Sequence, residues 1–127
     1  MIDAKEIEMA ISAHGAWKTR LRNAITSGKL DAPLEVIKAD NQCMFGKWLY
    51  GPTLSTSEKL TPTFAEIKAL HAEFHLCAAQ IAALAATGRK DEALGMLEGS
   101  GNYTGVSGRL TMALMRWKQQ VAQTASV

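Results

Sequence analysis

Hydrophobic residues recur along most of this chain every three or four positions, which is the spacing of one face of an α-helix. No stretch keeps the alternation of apolar and polar residues that is typical of a β-strand. The pattern therefore predicts an all-α fold, a bundle of the four-helix type with three long helices and additional short ones. The 127 residues suit a single domain, residues 1–127, with one core.

Cap residues mark the long helices. The first helix is predicted over residues 4–27, with Asp3 as its N-cap. The middle helix is predicted over residues 62–88, because Thr61 suits the N-cap and Pro62 the first helical position. The last helix is predicted over residues 102–123.

Shorter elements are expected between the long helices. Helices are predicted over residues 40–50 and 90–98, and a flexible glycine-rich break over residues 99–101. The segment 29–39 contains a proline and is expected to be less regular, and a loop rich in Ser, Thr and Pro should follow residue 51.

The apolar stripe of each long helix defines the candidate core. In the first helix the stripe consists of Ile7, Ala10, Ile11, His14, Trp17, Leu21, Ala24 and Ile25. In the middle helix it consists of Ile67, Leu70, His71, Phe74, His75, Ala78, Ile81 and Leu84. In the last helix it consists of Tyr103, Val106, Leu110, Ala113, Leu114, Trp117 and Val121. All three histidines of the chain thus point toward the core.

The spacing of two histidines indicates a metal site. His71 and His75 are four residues apart, so a helix places them one turn apart on one face, as in many metal chelates. Chance placement explains such a pair about as well when it stands alone. The apolar neighbours favour the metal, because buried imidazoles need partners and two charged ones would repel each other. His14 faces the same core.

Cys43 is the candidate fourth ligand. A free cysteine is most often a small buried hydrophobe. With Asp40 as N-cap of the helix over 40–50, however, Cys43 would lie in its first turn, where amides and the helix dipole stabilise a thiolate. Met44, Phe45, Trp48 and Leu49 would then shield the site from water. Asp40 itself has an alternative role as a hydrogen-bond partner of a ligand imidazole.

A set of three histidines and one cysteine favours zinc in a closed tetrahedral site, one Zn²⁺ per chain, with copper and iron chemically possible. Because a catalytic zinc keeps an open position, we expect a protein that is not an enzyme. A di-iron centre is disfavoured, since Glu6, Glu8, Glu66 and Glu73 are expected to face outward or lie near helix ends.

The remaining features exclude other classes of protein. A net charge of +2 without a basic run argues against a nucleic-acid partner. No uninterrupted apolar stretch approaches the roughly 20 residues of a membrane span. The charged start of the chain lacks a signal-peptide core, so we expect a cytoplasmic protein with reduced cysteines.

Three segments carry a resemblance to a known family. The segments His14-Gly-Ala-Trp17, Cys43-Met-Phe-Gly46-Lys-Trp48 and His71-Ala-Glu-Phe-His75, with the intervals between them, resemble the chemoreceptor zinc-binding domain. The resemblance covers nearly the whole chain, and no ligand position departs from the pattern.

The resemblance implies a regulatory zinc domain, often a homodimer, that works with bacterial chemoreceptors or diguanylate cyclases. It implies a response to zinc or to oxidants such as hypochlorous acid at the zinc-bound cysteine. The chain departs from that context, because it carries neither a receptor signalling helix pair nor a cyclase domain. The alternative is a structural interaction module in which zinc only staples the fold.

Other residues have both structural and functional interpretations. Trp17 is expected to pack the core or to shield the metal, and Gly46 to allow close approach of another backbone or simply to be tolerated. Cys77 is interpreted as a packing residue, with a smaller chance of pairing with oxidised Cys43. Met112 and Met115 are expected to fill the core or a dimer face.

Overall fold

The computed structural model describes residues 2–98 and 101–125. Its described residues form helices and no strands, which confirms the all-α class. The helices are α1 (Ala4–Ser27), α2 (Leu34–Lys38), α3 (Met44–Tyr50), α4 (Thr56–Lys59), α5 (Pro62–Ala86), α6 (Lys90–Leu97) and α7 (Asn102–Ala125).

The three long helices pack against one another, and α5 has contacts with the largest number of elements. Helices α1, α5 and α7 contact each other in pairs, α6 packs on all three, and α2 and α4 pack on α5. By length and composition, α5 is apolar enough to cross a membrane, although no continuous apolar run marks it in the sequence. Half of that apolar window is buried inside the protein, as suits a helix with neighbours on several sides.

The core contains the stripes that the periodicity predicts. Most of their members are buried, and Phe74, Ile67 and Leu114 are fully enclosed. Four members at the margins of the stripes are only partly buried: Ile11, Leu70, Leu84 and Val121. The inward direction of each long helix was therefore predicted correctly, and with it the direction of the histidines.

The caps of the long helices are formed by the expected side chains. The Asp3 carboxylate accepts the Lys5 amide at 2.9 Å, and Gly28 closes α1 at a φ of 71°. The Thr61 hydroxyl accepts the Phe64 amide at 3.3 Å at the start of α5. The prediction that this helix continues to residue 88 was wrong by two residues, because its last carbonyls already bond the turn that follows.

The short elements differ more from expectation. The segments expected to be irregular contain α2 and α4, the latter with a capping box between Ser55 and Glu58. Asp40 does not cap a helix: α3 begins at Met44 and its N-cap is Cys43. The Asp40 carboxylate instead accepts the Tyr50 hydroxyl, so the turn before α3 is tied to the end of that helix. Of the expected glycine-rich break, residues 99 and 100 lie outside the described part of the chain.

Candidate metal centre

The structure brings His14, Cys43, His71 and His75 together in the interior of the bundle. One ligand atom from each lies within 4.8 Å of the other three. The residues come from three separate parts of the chain: α1, the N-cap of α3, and α5. The folded chain thus places four donors in one small volume, and this is the set that the sequence predicts.

The pair on α5 forms the base of the centre. His71 and His75 are 0% and 1% exposed, and their Nε2 atoms are 3.1 Å apart. One helical turn separates the two side chains, so α5 places both rings on one face and within reach of each other.

Backbone carbonyls orient two of the three imidazoles. The Nδ1 atom of His14 donates to the Ala10 carbonyl at 2.7 Å, within α1. The Nδ1 atom of His75 donates to the Ile37 carbonyl at 2.9 Å, at the end of α2. Because a carbonyl only accepts, the proton of each neutral ring lies on Nδ1, and Nε2 presents its lone pair to the centre.

These two carbonyls are the functional groups that the sequence reasoning missed. The sequence offered the Asp40 carboxylate as a partner of a ligand imidazole only as the alternative to its cap role, and in the structure that carboxylate accepts the Tyr50 hydroxyl. Every residue has a backbone carbonyl, so no residue type signals this role. The position of α2 on α5 is what brings the Ile37 carbonyl to His75.

Cys43 occupies the N-cap position of α3. Its Sγ accepts the Gly46 amide at 3.3 Å and lies 3.4 Å from Nε2 of His71. The expected helix amide is thus present, but burial outweighs it and raises the pKa of the Cys43 thiol. The helix end alone therefore does not favour the thiolate, and a bound metal cation would favour it.

Gly46 fits the centre because another backbone lies against it. A Cβ atom at this position would overlap the Asp40 carbonyl oxygen and lie 2.8 Å from its carbon and 3.0 Å from Asn41 Cα. The turn that delivers Cys43 therefore packs directly on α3, and only glycine leaves room for it. This supports the interpretation of Gly46 as a site of close approach.

Burial keeps the imidazoles neutral. It lowers the pKa of His14 to about 4, and the charge of His75 adds to the effect. It lowers the pKa of His71 to about 2, with further contributions from His14 and His75. The pKa of His75 is also lowered by burial, against the opposing effect of the Ile37 carbonyl. Imidazoles that are neutral at neutral pH are in the charge state that binds a metal.

Aromatic rings enclose the histidines. The ring of Phe74 lies 5.0 Å from that of His14, Phe45 lies 5.1 Å from His71, and Trp17 lies 5.8 Å from His75, all edge to face. Trp17 therefore packs the core and covers the centre at once. The expectation that Met44 belongs to this wall was wrong, because its side chain is 78% exposed. Met44 is next to Cys43 in the sequence, but its side chain lies on the outer surface of α3.

Two of the distances between the ligand atoms suit zinc. Tetrahedral bonds of about 2.0–2.1 Å to nitrogen and about 2.3 Å to sulfur imply ligand atoms roughly 3.3–3.6 Å apart. The observed 3.1 Å between the two α5 nitrogens and 3.4 Å between Cys43 Sγ and His71 Nε2 come close to that spacing. The donors also include one sulfur, which magnesium and calcium do not favour.

Other candidate residues lie outside the cluster. Cys77 is 3% exposed and accepts weakly from the Asn102 amide group at 3.9 Å, in agreement with a packing role. The four glutamates considered for a di-iron centre are exposed: Glu6, Glu8, Glu66 and Glu73. Three of them form surface ion pairs with basic residues of α7, such as Glu73 with Arg109 at 3.2 Å.

Comparison with known proteins places the cluster within a protein family. The family model described as the chemoreceptor zinc-binding domain matches residues 14–82, more than half of the chain. The matched range begins at His14 and includes the other three residues of the cluster. No curated protein and no solved structure matches the chain.

Proposed function

This chain belongs to the chemoreceptor zinc-binding domain family, and from that premise we propose that it is a regulatory domain that binds one Zn²⁺ through His14, Cys43, His71 and His75. The observation that carries the proposal is the convergence of these four donors within 4.8 Å inside the bundle. Four protein ligands fill a tetrahedral shell, so the proposed role is binding and signalling and not catalysis.

The metal would join parts of the chain that are far apart in sequence. When bound, zinc supplies a cross-link between α1, the start of α3 and α5, and it favours the thiolate of Cys43. Structural zinc contributes about 10–16 kcal/mol in small peptides at neutral pH, so its loss is large enough to rearrange these elements. A change in their packing is the proposed signal.

Cys43 is the proposed point of regulation. The three histidines are at most 3% exposed, whereas Cys43 is only partly buried, so it is the most exposed of the four residues. In the proposed reaction with hypochlorous acid, the thiolate attacks chlorine, an S–Cl bond forms and hydroxide leaves. Hydroxide then displaces chloride to give the sulfenic acid. Sulfur loses two electrons and chlorine gains them.

The proposed partners are a second copy of the chain and a cytoplasmic chemoreceptor or diguanylate cyclase. Met112 and Met115 on α7 are 66% and 51% exposed, so their core interpretation was wrong and a dimer face is the interpretation left for them. Large exposed apolar side chains are a common feature of such faces. The mass of the protein in solution tests the homodimer.

Elemental analysis of the purified protein tests the zinc site. We expect one zinc per chain in the parent protein and a lower content, with a lower melting temperature, in Cys43→Ser and His71→Ala. Cys77→Ser is the matched control, because it removes the other thiol without touching the cluster. Unchanged zinc content in the two ligand variants would contradict the assignment.

A second function, a structural staple without sensing, is supported by the deep burial of the histidines. It predicts zinc that resists a graded series of chelators and a thiol that reacts slowly with oxidants. Rapid oxidation of Cys43 with release of zinc supports the sensor, and slow oxidation with retention of zinc supports the staple.

A further inference from the structure

The three histidines of the centre differ in what their outer nitrogens contact. His14 and His75 donate from Nδ1 to the carbonyls of Ala10 and Ile37. The Nδ1 atom of His71 is buried and has no hydrogen-bond partner among the described residues. An imidazole that binds a metal through one nitrogen normally donates a hydrogen bond from the N–H of the other to an acceptor that fixes the orientation of the ring. In His71 this support is missing.

The missing acceptor decides where the proton of His71 resides without metal. On Nδ1 it would be a buried donor with no acceptor, which is costly. On Nε2 it points at the lone pair of His75 Nε2, 3.1 Å away, and at Cys43 Sγ, 3.4 Å away. The Nε2–H form is therefore favoured, and its proton lies among the atoms that bind the metal.

We propose that His71 is the exchange ligand of the centre, the one imidazole that must change tautomer for zinc to bind. This inference rests on the proposed zinc function. Coordination through Nε2 uses the lone pair of that atom, so the Nε2 proton leaves to solvent and Nδ1 gains one. The ring is neutral before and after. His14 and His75 keep their proton on Nδ1 throughout.

This difference ranks the ligands. His14 and His75 are held in the form that binds metal, whereas His71 gives up one hydrogen bond and leaves its new N–H unpaired. His71 is accordingly the histidine that contributes least to zinc affinity and is the first histidine to detach when zinc is exchanged. Exchange of zinc therefore begins at the side of the centre that His71 shares with Cys43.

Long-range ¹H–¹⁵N NMR of the full chain, with and without zinc, tests the tautomers. We expect the proton of His71 on Nε2 in the metal-free protein and on Nδ1 in the zinc-loaded protein. The other two histidines should show Nδ1–H in both states. A His71 ring with its proton on Nδ1 in both states would overturn the inference.

Zinc affinity provides a second test that does not require a folded metal-free protein. His71→Ala and His75→Ala form a matched pair, because both remove a fully buried ligand from the same helix. Since loss of the supporting acceptor typically changes metal affinity about 10–100-fold, we expect His71→Ala to lose that much less affinity than His75→Ala in chelator competition. Equal losses would refute the ranking.

The two tests separate this inference from the function on which it rests. A parent protein that binds no zinc contradicts the proposed function. A protein that binds zinc with His71 unchanged in tautomer, and with equal losses in the two variants, contradicts only the exchange ligand.

Discussion

Substitution of Gly46 by alanine tests how the turn before α3 sets the position of the sulfur ligand. The added Cβ would lie 2.8 Å from the Asp40 carbonyl carbon, whereas ordinary contacts begin at 3.4 Å. The two backbones would have to separate by at least about 0.6 Å, and the overlap with the carbonyl oxygen demands more. A zinc–ligand distance can depart from its usual value by only about 0.2 Å.

The expected cost follows from that displacement. Inserting a methyl group into a closely packed site costs about 1–3 kcal/mol, which corresponds to a fall in melting temperature of about 4–12 °C for a domain of this size. Because Cys43 lies on the displaced turn, zinc affinity should also fall by about 10–100-fold. Chelator competition and thermal unfolding, with and without zinc, measure the two effects.

Gly108→Ala is the matched control. Gly108 lies within α7, and a Cβ atom there meets nothing within 4 Å. Alanine should stabilise this exposed helix position by up to about 1 kcal/mol and leave zinc affinity unchanged. If Gly46→Ala behaves as Gly108→Ala does, in melting temperature and in zinc affinity, the argument that close packing positions Cys43 is refuted.

Three further predictions concern the surroundings of the centre. The pKa of His14 is 6.5 in an unfolded chain and about 4 here, so its contribution to the stability of the metal-free protein is fully present above pH 6.5 and is lost as the pH falls toward 4. The free energy of unfolding should fall by about 1.4 kcal/mol per pH unit for each such histidine. Urea unfolding at pH 7 and pH 5 measures this difference, and equal free energies of unfolding would contradict it. Phe74→Ala should cost about 3–5 kcal/mol, because the ring is fully buried, while the exposed Met112→Ala should change stability by less than about 0.5 kcal/mol. Tyr50→Phe removes the hydroxyl that donates to Asp40 and should lower the free energy of unfolding by about 1 kcal/mol. Zinc affinity should fall less than in Gly46→Ala. No change in either quantity would show that this hydrogen bond does not hold the turn.

The local pattern of the chain was sufficient for several features of the fold. The helical period predicts the inward faces of α1, α5 and α7, and the caps Asp3 and Thr61 mark where two of them begin. These features depend on residues within a few positions of one another, so a single sequence contains them. The short helices α2 and α4 were missed, since each has only one turn and packs on or beside α5.

The candidate site depends on both the local sequence pattern and the tertiary packing. Spacing alone places His71 and His75 on one face of a helix. The apolar stripe of the first helix indicates His14, and the predicted start of a short helix indicates Cys43. Their convergence within 4.8 Å depends on how α1, α3 and α5 pack, which no local pattern states. The ligand assignment stays a prediction that the zinc measurements test.

The sequence by itself therefore determined the helical class, the buried faces and the candidate donor residues, because these depend on periodicity and chemistry along the chain. Only the tertiary structure decided that Cys43 caps its helix, that Gly46 admits the Asp40 turn, and that carbonyls support two histidines but not His71. The reason is that every residue has the same backbone carbonyl, and nothing in the sequence shows which carbonyls or backbone segments the fold will bring together.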